Sequence, residues 1–412
     1  MAIDIEQDIE KFQFRNLNPK ISIGTASDRY AGWIGQIYSR DRYENKIKSR
    51  SKKLAGKLFQ EDVLPVESVE EYFQHFSFLE MDFTFYRLLL DKDSQPTSNY
   101  HVLTTYKKYL IENDKIILKV PQVIFAKKLW RSGKFVENKD YLAAHVFIDQ
   151  FYRPALEILG NSITGFIFEQ EYHIKKERVS PSENAEALDR FFDTIPQDDR
   201  YHIELRTASY LSKEYFKVLE KYGIGQVLSH WTWLPPLSTQ IKYSKGEFFN
   251  SGNQCIIRLM TPRNMRYEEA YKKAFPFDKK IERMMNPKMI DDSIEITRFA
   301  IDQDIHVNIT INNRSGGNAP IIAQEIAKRF VEQKNIEIRA YEVLMTNRKI
   351  KPCKWYYCCP IKKYTERGKL EKYWIENYCL VNNNNCIRYQ MQEKGKYHPD
   401  NMLPNGEISE EL

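Results

Sequence analysis

The sequence predicts an α/β fold in which eight parallel strands close into a (β/α)8 barrel, followed by a small Cys-rich metal-binding module at the C-terminus. Three observations carry this expectation. Eight short apolar runs alternate with helical stretches, the signature of parallel strands joined by crossover helices. Polar and charged residues gather at the C-terminal ends of those runs rather than scattering along them. Five of the six cysteines lie beyond position 350. An open doubly wound sheet would call for a glycine-rich phosphate loop after its first strand, and GTASDRYAG is not one.

The elements follow in order. Residues 1–20 read as an extension. Ile21–Gly24 is a first strand closed by glycine, with Ser27, Asp28, Arg29 and Tyr30 in its exit loop. From Arg40 to Lys57 eight basic residues face only Asp41 and Glu44, which reads as a solvated helix or loop, or as a phosphate grip. Val66–Phe76 has helical spacing and leads into Leu79–Arg87, LEMDFTFYR, where period-two alternation predicts a strand with Glu80, Asp82 and Thr84 on one face. Further strands are predicted at Ile116–Val120, Thr164–Phe168, His202–Leu205, Gln226–Ser229, Cys255–Met260 and His306–Ile311. Helices are predicted at Ala143–Leu159, Asn184–Thr194, Lys213–Tyr222 with Gly223 as its cap, Ile294–Ile301 and Ala319–Gln333. The barrel is thus expected over 21–340 and the module over 341–412.

Composition bounds the partners. Hydrophobic content of 42% and aromatic content of 13% belong to a folded globular chain. The net charge of +6 permits a polyanionic partner without requiring one. The acidic start lacks a secretory signal pattern and no apolar run reaches membrane-spanning length, so a cytoplasmic protein is expected.

The strand-end residues suggest chemistry. Glu80, Asp82 and Glu204 are the expected acid/base groups, and Lys119, Arg206 and Arg258 would offset their charge or clamp a phosphate-bearing ligand. With His230, the three carboxylates could instead hold a divalent metal that activates water. Ser27, Thr84, Tyr86, Gln170, Asn312 and Asn313 complete the expected substrate-binding set. The same charges would also serve as a buried salt-bridge network tying the barrel together. Tyr30, Trp33, Tyr86, Trp231 and Trp233 suit stacking on bases or sugars, and equally suit barrel packing.

In the tail, Cys353, Cys359, Cys379 and Cys386 give C-x5-C-P and then C-x6-C, with Cys358 as the alternative to Cys359. Tight C-x2-C knuckles are absent, so the spacing favours a [4Fe–4S] cluster over zinc. Six surrounding Lys and Arg residues make the module basic. Its polar Pro- and Gly-containing end reads as a loose terminus.

LEMDFTFYR, ISIGTASDRYAGW, the ELR at Glu204–Arg206, the RLM at Arg258–Met260 and the loop NNRSGGNAP together resemble the DUF72 (YecE-like) family. The resemblance implies a TIM-type barrel with its site at the strand ends, and supplies no reaction. Phe83 stands where the family usually has a small hydroxyl residue, and Ser27-Asp28-Arg29 where it more often shows Ser-Gly-Trp. The cysteine stretch resembles four-cysteine modules of archaeal proteins, some labelled uracil-DNA glycosylases, although no glycosylase catalytic motif is present. The expected function is hydrolysis, acid/base or metal-assisted, of a phosphate-bearing or nucleic-acid-related substrate. The alternative is a non-catalytic nucleic-acid binder.

Overall fold

In the computed structural model of the chain, residues 4–131, 133–345, 352–380, 383–410 and 412 are described, the stretch 333–345 by its backbone alone. The eight predicted strands are all present. They are β1 (Ile21–Ala26), β2 (Phe78–Met81), β3 (Lys115–Lys119), β4 (Ile163–Glu169), β5 (Tyr201–Glu204), β6 (Gly225–His230), β7 (Gln254–Leu259) and β8 (His306–Ile311). Each pairs in parallel with its neighbours in sequence, and β8 closes on β1 with Ile21 opposite Val307. The result is a TIM-type barrel.

The inward faces of five strands contribute Phe78, Ile117, Ile167, Val227 and Ile256 to one buried cluster. Gly24 does not close β1, as its sequence context suggested, but lies inside the strand. A Cβ there would collide with the carbonyl and ring of Phe78, so glycine makes room for the cluster.

Outer helices form where periodicity and caps agree. Ser212 caps Lys213–Tyr222, which buries Tyr215, Phe216, Val218 and Leu219 and ends at a left-handed Gly223 with φ 65°. Ser180 and Glu183 form a capping box on Pro181–Thr194. Within Ala143–Leu159 the helix loosens into a π-helical turn at Ile148–Tyr152.

Two expectations change. LEMDFTFYR is a strand only to Met81. Residues Asp82–Tyr86 wind into a 3₁₀ turn, because the buried Thr84 hydroxyl bonds to the carbonyls of Met81 (2.8 Å) and Lys119 (2.7 Å). The basic run is not one helix or loop. After a short helix at Arg40–Tyr43, its larger part is an antiparallel hairpin, Lys48–Leu54 with Lys57–Val63, rising after β1. There Arg50 and Lys52 both pair with Glu61, at 2.8 and 3.2 Å. A second hairpin, Lys128–Arg131 with Lys134–Glu137, follows β3.

The chain divides into two compact units, residues 1–293 with 300–328, and residues 294–299 with 329–412. The first contains the barrel and the N-terminal extension. Phe14 is buried against Phe76, and Arg15 pairs with Asp114 at 2.9 Å, so the extension covers the entry to β2 and β3. The helix predicted to stop at Gln333 runs on as Ala319–Met345.

The second unit has short helices at Pro360–Glu366 and Ile387–Glu393. Its end is not loose. Arg388 donates to the carbonyls of Pro399, Asp400 and Met402 and pins the final segment. Among the described residues no helix is long and apolar enough to cross a membrane.

Candidate active site

Charge converges at the C-terminal ends of the strands, as expected. Arg258 on β7 is fully buried and reaches across the barrel to three strands. Its Nε donates to Glu80 on β2 (2.8 Å) and its Nη1 to Glu169 on β4 (3.0 Å) and to Glu204 on β5. Arg206 bonds Glu169 at 2.8 Å and Glu204 at 3.1 Å. Lys119, ending β3, bonds Glu169 at 2.8 Å and Asp82 at 3.2 Å. Four carboxylates thus share three cations in one network.

Burial and pairing act against one another here. Burial raises the proton affinity of Glu80 despite Arg258. For Asp82 burial pulls the same way, but Lys119, Arg258 and Arg314 outweigh it and hold the carboxyl below its usual range. Arg206, Lys119 and Arg258 hold Glu169 well below it, again against burial. Lys119 is raised: burial opposes its charge, but Glu169 and Asp82 favour it more strongly.

Glu169 is the member that sequence reasoning passed over for its neighbour. Gln170 faces away, its amide nitrogen donating to Asn184 at 3.0 Å.

Beside this network lies a cavity of about 660 Å³ under the first hairpin and the Tyr267–Phe277 segment. Its lining includes Ser27, Asp82, Tyr86, Asn312 and Asn313 of the expected set, and Glu80 from the network. Asn313 is fixed from behind, its Oδ1 accepting from the Trp33 indole at 3.1 Å and the Ala319 amide at 2.8 Å. Asn312 accepts from the Arg314 amide at 3.0 Å. Thr84 is a buried clasp and does not line the cavity.

His230 does not line it either. Burial, reinforced by Arg263, pushes its pKa down to about 4, so it is a neutral packed histidine. Arg206 lies over the Trp231 ring, 4.6 Å from its centre.

Two further residues enter the cavity. Arg314 rests on the Tyr267 ring at 4.3 Å and makes no ion pair among the described residues. Asp28 is buried, and its Oδ1 accepts from Tyr106 at 2.9 Å while Oδ2 has no hydrogen-bond partner among the described residues. Burial, partly offset by Arg29 and Tyr106, lifts its pKa to about 6. Ser27, with φ 69°, supplies the left-handed step that turns Asp28 inward.

Glu80 and Glu204 are both engaged by Arg258, and no three His, Cys, Asp or Glu among the described residues are drawn together closely enough to hold a metal ion.

In the second unit Cys353, Cys379 and Cys386 are buried. Burial, then the nearby thiols, raise Cys353 to about 11, and Cys379 is raised by the same causes.

No curated protein matches the chain. Among solved structures, a DUF72 family protein of Thermotoga maritima is 14% identical, with a TM-score of 0.45, covering 76% of this chain and 99% of its own. A DUF72 family protein of Enterococcus faecalis is similar in two crystal structures. These give 16% and 17% identity and TM-scores of 0.43, covering 75% and 76% of this chain and 95% and 97% of theirs. The family model described as "Protein of unknown function DUF72" matches residues 22–343, the barrel and most of its closing helix. The chain belongs to the DUF72 family.

Proposed function

We propose that the barrel is a hydrolase for a phosphate-bearing substrate, a small molecule or the end of a nucleic acid, working in the cavity beneath the first hairpin. The observation that carries the reading is Arg314. An arginine presented to a cavity with no carboxylate in ion-pair contact among the described residues is the group expected to take an anionic ligand, even with its charge bearing on Asp82. Lys119, Arg206 and Arg258 are already paired with carboxylates, Arg206 through its Nη2 alone, so their part is to hold the acidic residues in place.

Two carboxyls in the same cavity have proton affinities pushed in opposite directions, the pattern that separates a base from an acid. Asp82, kept ionised, takes a proton from the attacking water. As the water oxygen bonds phosphorus, the bond to the leaving oxygen breaks, and Asp28 supplies that oxygen with a proton. Glu80 and Glu204 act through Arg258 and are positioning residues in this scheme. The acid/base route is favoured over the metal-assisted one because Arg258 occupies the carboxylates that a metal would need.

The test is turnover of a panel of phosphomonoesters and short oligonucleotides by wild type, Asp82→Asn and Arg314→Ala. The expected result is a ~10²–10⁴-fold loss of kcat for Asp82→Asn with binding retained, and mainly a raised KM for Arg314→Ala.

A second reading, a non-catalytic nucleic-acid binder, is favoured by the second hairpin. It exposes Trp130 and Phe135, ring centres 4.8 Å apart, beside Arg131 and Lys134. Oligonucleotide binding without turnover that collapses between low and moderate salt would support it instead.

A further inference from the structure

Beyond the barrel, the second unit has an unusual interior. Among its described residues after 351, the buried apolar side chains are Cys353, Ile361, Ile375, Cys379, Cys386 and Pro404. Three of the six are cysteines, and none is in a disulfide. A unit this small does not gain enough from such a core to order itself, and small folds of this kind are usually stapled by a metal.

Cys353 and Cys379 lie in one buried cluster with Ile375, against which Trp355, Tyr356, Leu380 and Tyr389 pack. The Cys353 amide donates to the Cys379 carbonyl at 2.6 Å, tying the two halves of the motif together.

Arg388 supplies the second, independent observation. It is 3% exposed, its Nη1 is spent on three carbonyls, and its Nε and Nη2 have no hydrogen-bond partner among the described residues. Its charge bears on Cys379 and Cys386. A buried cation without a counter-ion is strongly unfavourable. Four thiolates around Zn²⁺, or around a [4Fe–4S]²⁺ core, carry a net charge of about −2 and would supply the missing counter-charge. Cys358 turns instead to the Trp355 carbonyl, 3.4 Å away.

We propose that Cys353, Cys359, Cys379 and Cys386 form one tetrathiolate metal centre with Arg388 as its counter-cation, and that Cys358 is not a ligand. The sulfurs are not at bonding distance as they stand, so binding draws them inward. Each thiol gives its proton to solvent as its sulfur–metal bond forms; Zn²⁺ or a preformed cluster binds with no change of oxidation state, and assembly from ferric iron and sulfide takes its two electrons from an added thiol reductant. The proposal is independent of the hydrolase reading.

The experiment is metal and sulfide analysis, with visible spectra, of the full chain purified without oxygen and then reconstituted with iron and sulfide or with zinc. Wild type and Cys358→Ser are expected to retain either about four iron and four sulfide or about one zinc per chain. Cys359→Ser and Cys379→Ser are expected to lose most of it. A wild type that binds neither, or a Cys358→Ser protein that loses the metal while Cys359→Ser keeps it, overturns the proposal. Should the serine variants fail to fold, Co²⁺ titration of wild type decides. Charge-transfer intensity matching four thiolates supports the site, and that of two or fewer overturns it.

Discussion

Asp28, the acid of the proposed reaction, sits in its cavity at the expense of stability. Its pKa of about 6 in the folded chain lies above the usual 3.8, with burial the main cause. The folded state therefore holds this proton more tightly than the unfolded state. As pH rises from about 4 to about 6 the unfolded chain ionises first, so stability falls across that window and is level above it. Asp28→Asn keeps a partner for Tyr106 and removes the ionisation. It is expected to stabilise the protein by roughly 1–3 kcal/mol above pH 6 and by little below pH 4, as read by denaturant unfolding across pH. The same variant is expected to lose turnover. A gain that is equal at every pH would sink the titration account.

Nothing local in the sequence marks Asp28, because Tyr38 and Tyr106 close over it from other parts of the chain. Glu169 was readable. Counting by two from the inward Ile167 puts Glu169 in the barrel and Gln170 outside.

At the scale of elements, the charged network decides how the strands are held. Arg258 ties β7 to β2, β4 and β5 through Glu80, Glu169 and Glu204. Arg258→Met leaves Glu80 buried without its cation and Glu204 with Arg206 alone. A loss of about 3–5 kcal/mol is expected from chemical denaturation, with the deficit shrinking at low pH as the carboxyls take up protons. A loss below 1 kcal/mol would mean that the network contributes little to the barrel.

Strand positions were legible because fully buried parallel strands read as short apolar runs. The extent of β2 was not, since the turn after Met81 depends on Thr84 reaching a carbonyl of β3. The first hairpin was hidden for a related reason. Its charges are matched across the strands, Arg50 and Lys52 by Glu61, and a reading along the chain sees only the basic strand.

For the whole molecule, the division into two compact units, with the proposed tetrathiolate centre in the second, predicts two responses to chelation. Hydrogen exchange after chelation is expected to rise across 352–410 and to stay unchanged in the eight barrel strands. Equal deprotection of both units would contradict this. The site at the strand ends was visible as a convergence of polar residues, but its division into a sealed network and an open cavity was not. That division depends on which carboxylate meets which cation.

The sealed network also limits how the barrel can change over generations. Replacing Arg258 alone strands Glu80 and leaves Glu204 only Arg206, and replacing either acid alone strands part of an arginine. A lineage leaving this arrangement through single substitutions would have to pass through a damaged ancestor. Glu80, Glu204 and Arg258 are therefore expected to be inherited together or lost together, while the cavity wall beside them is freer to vary.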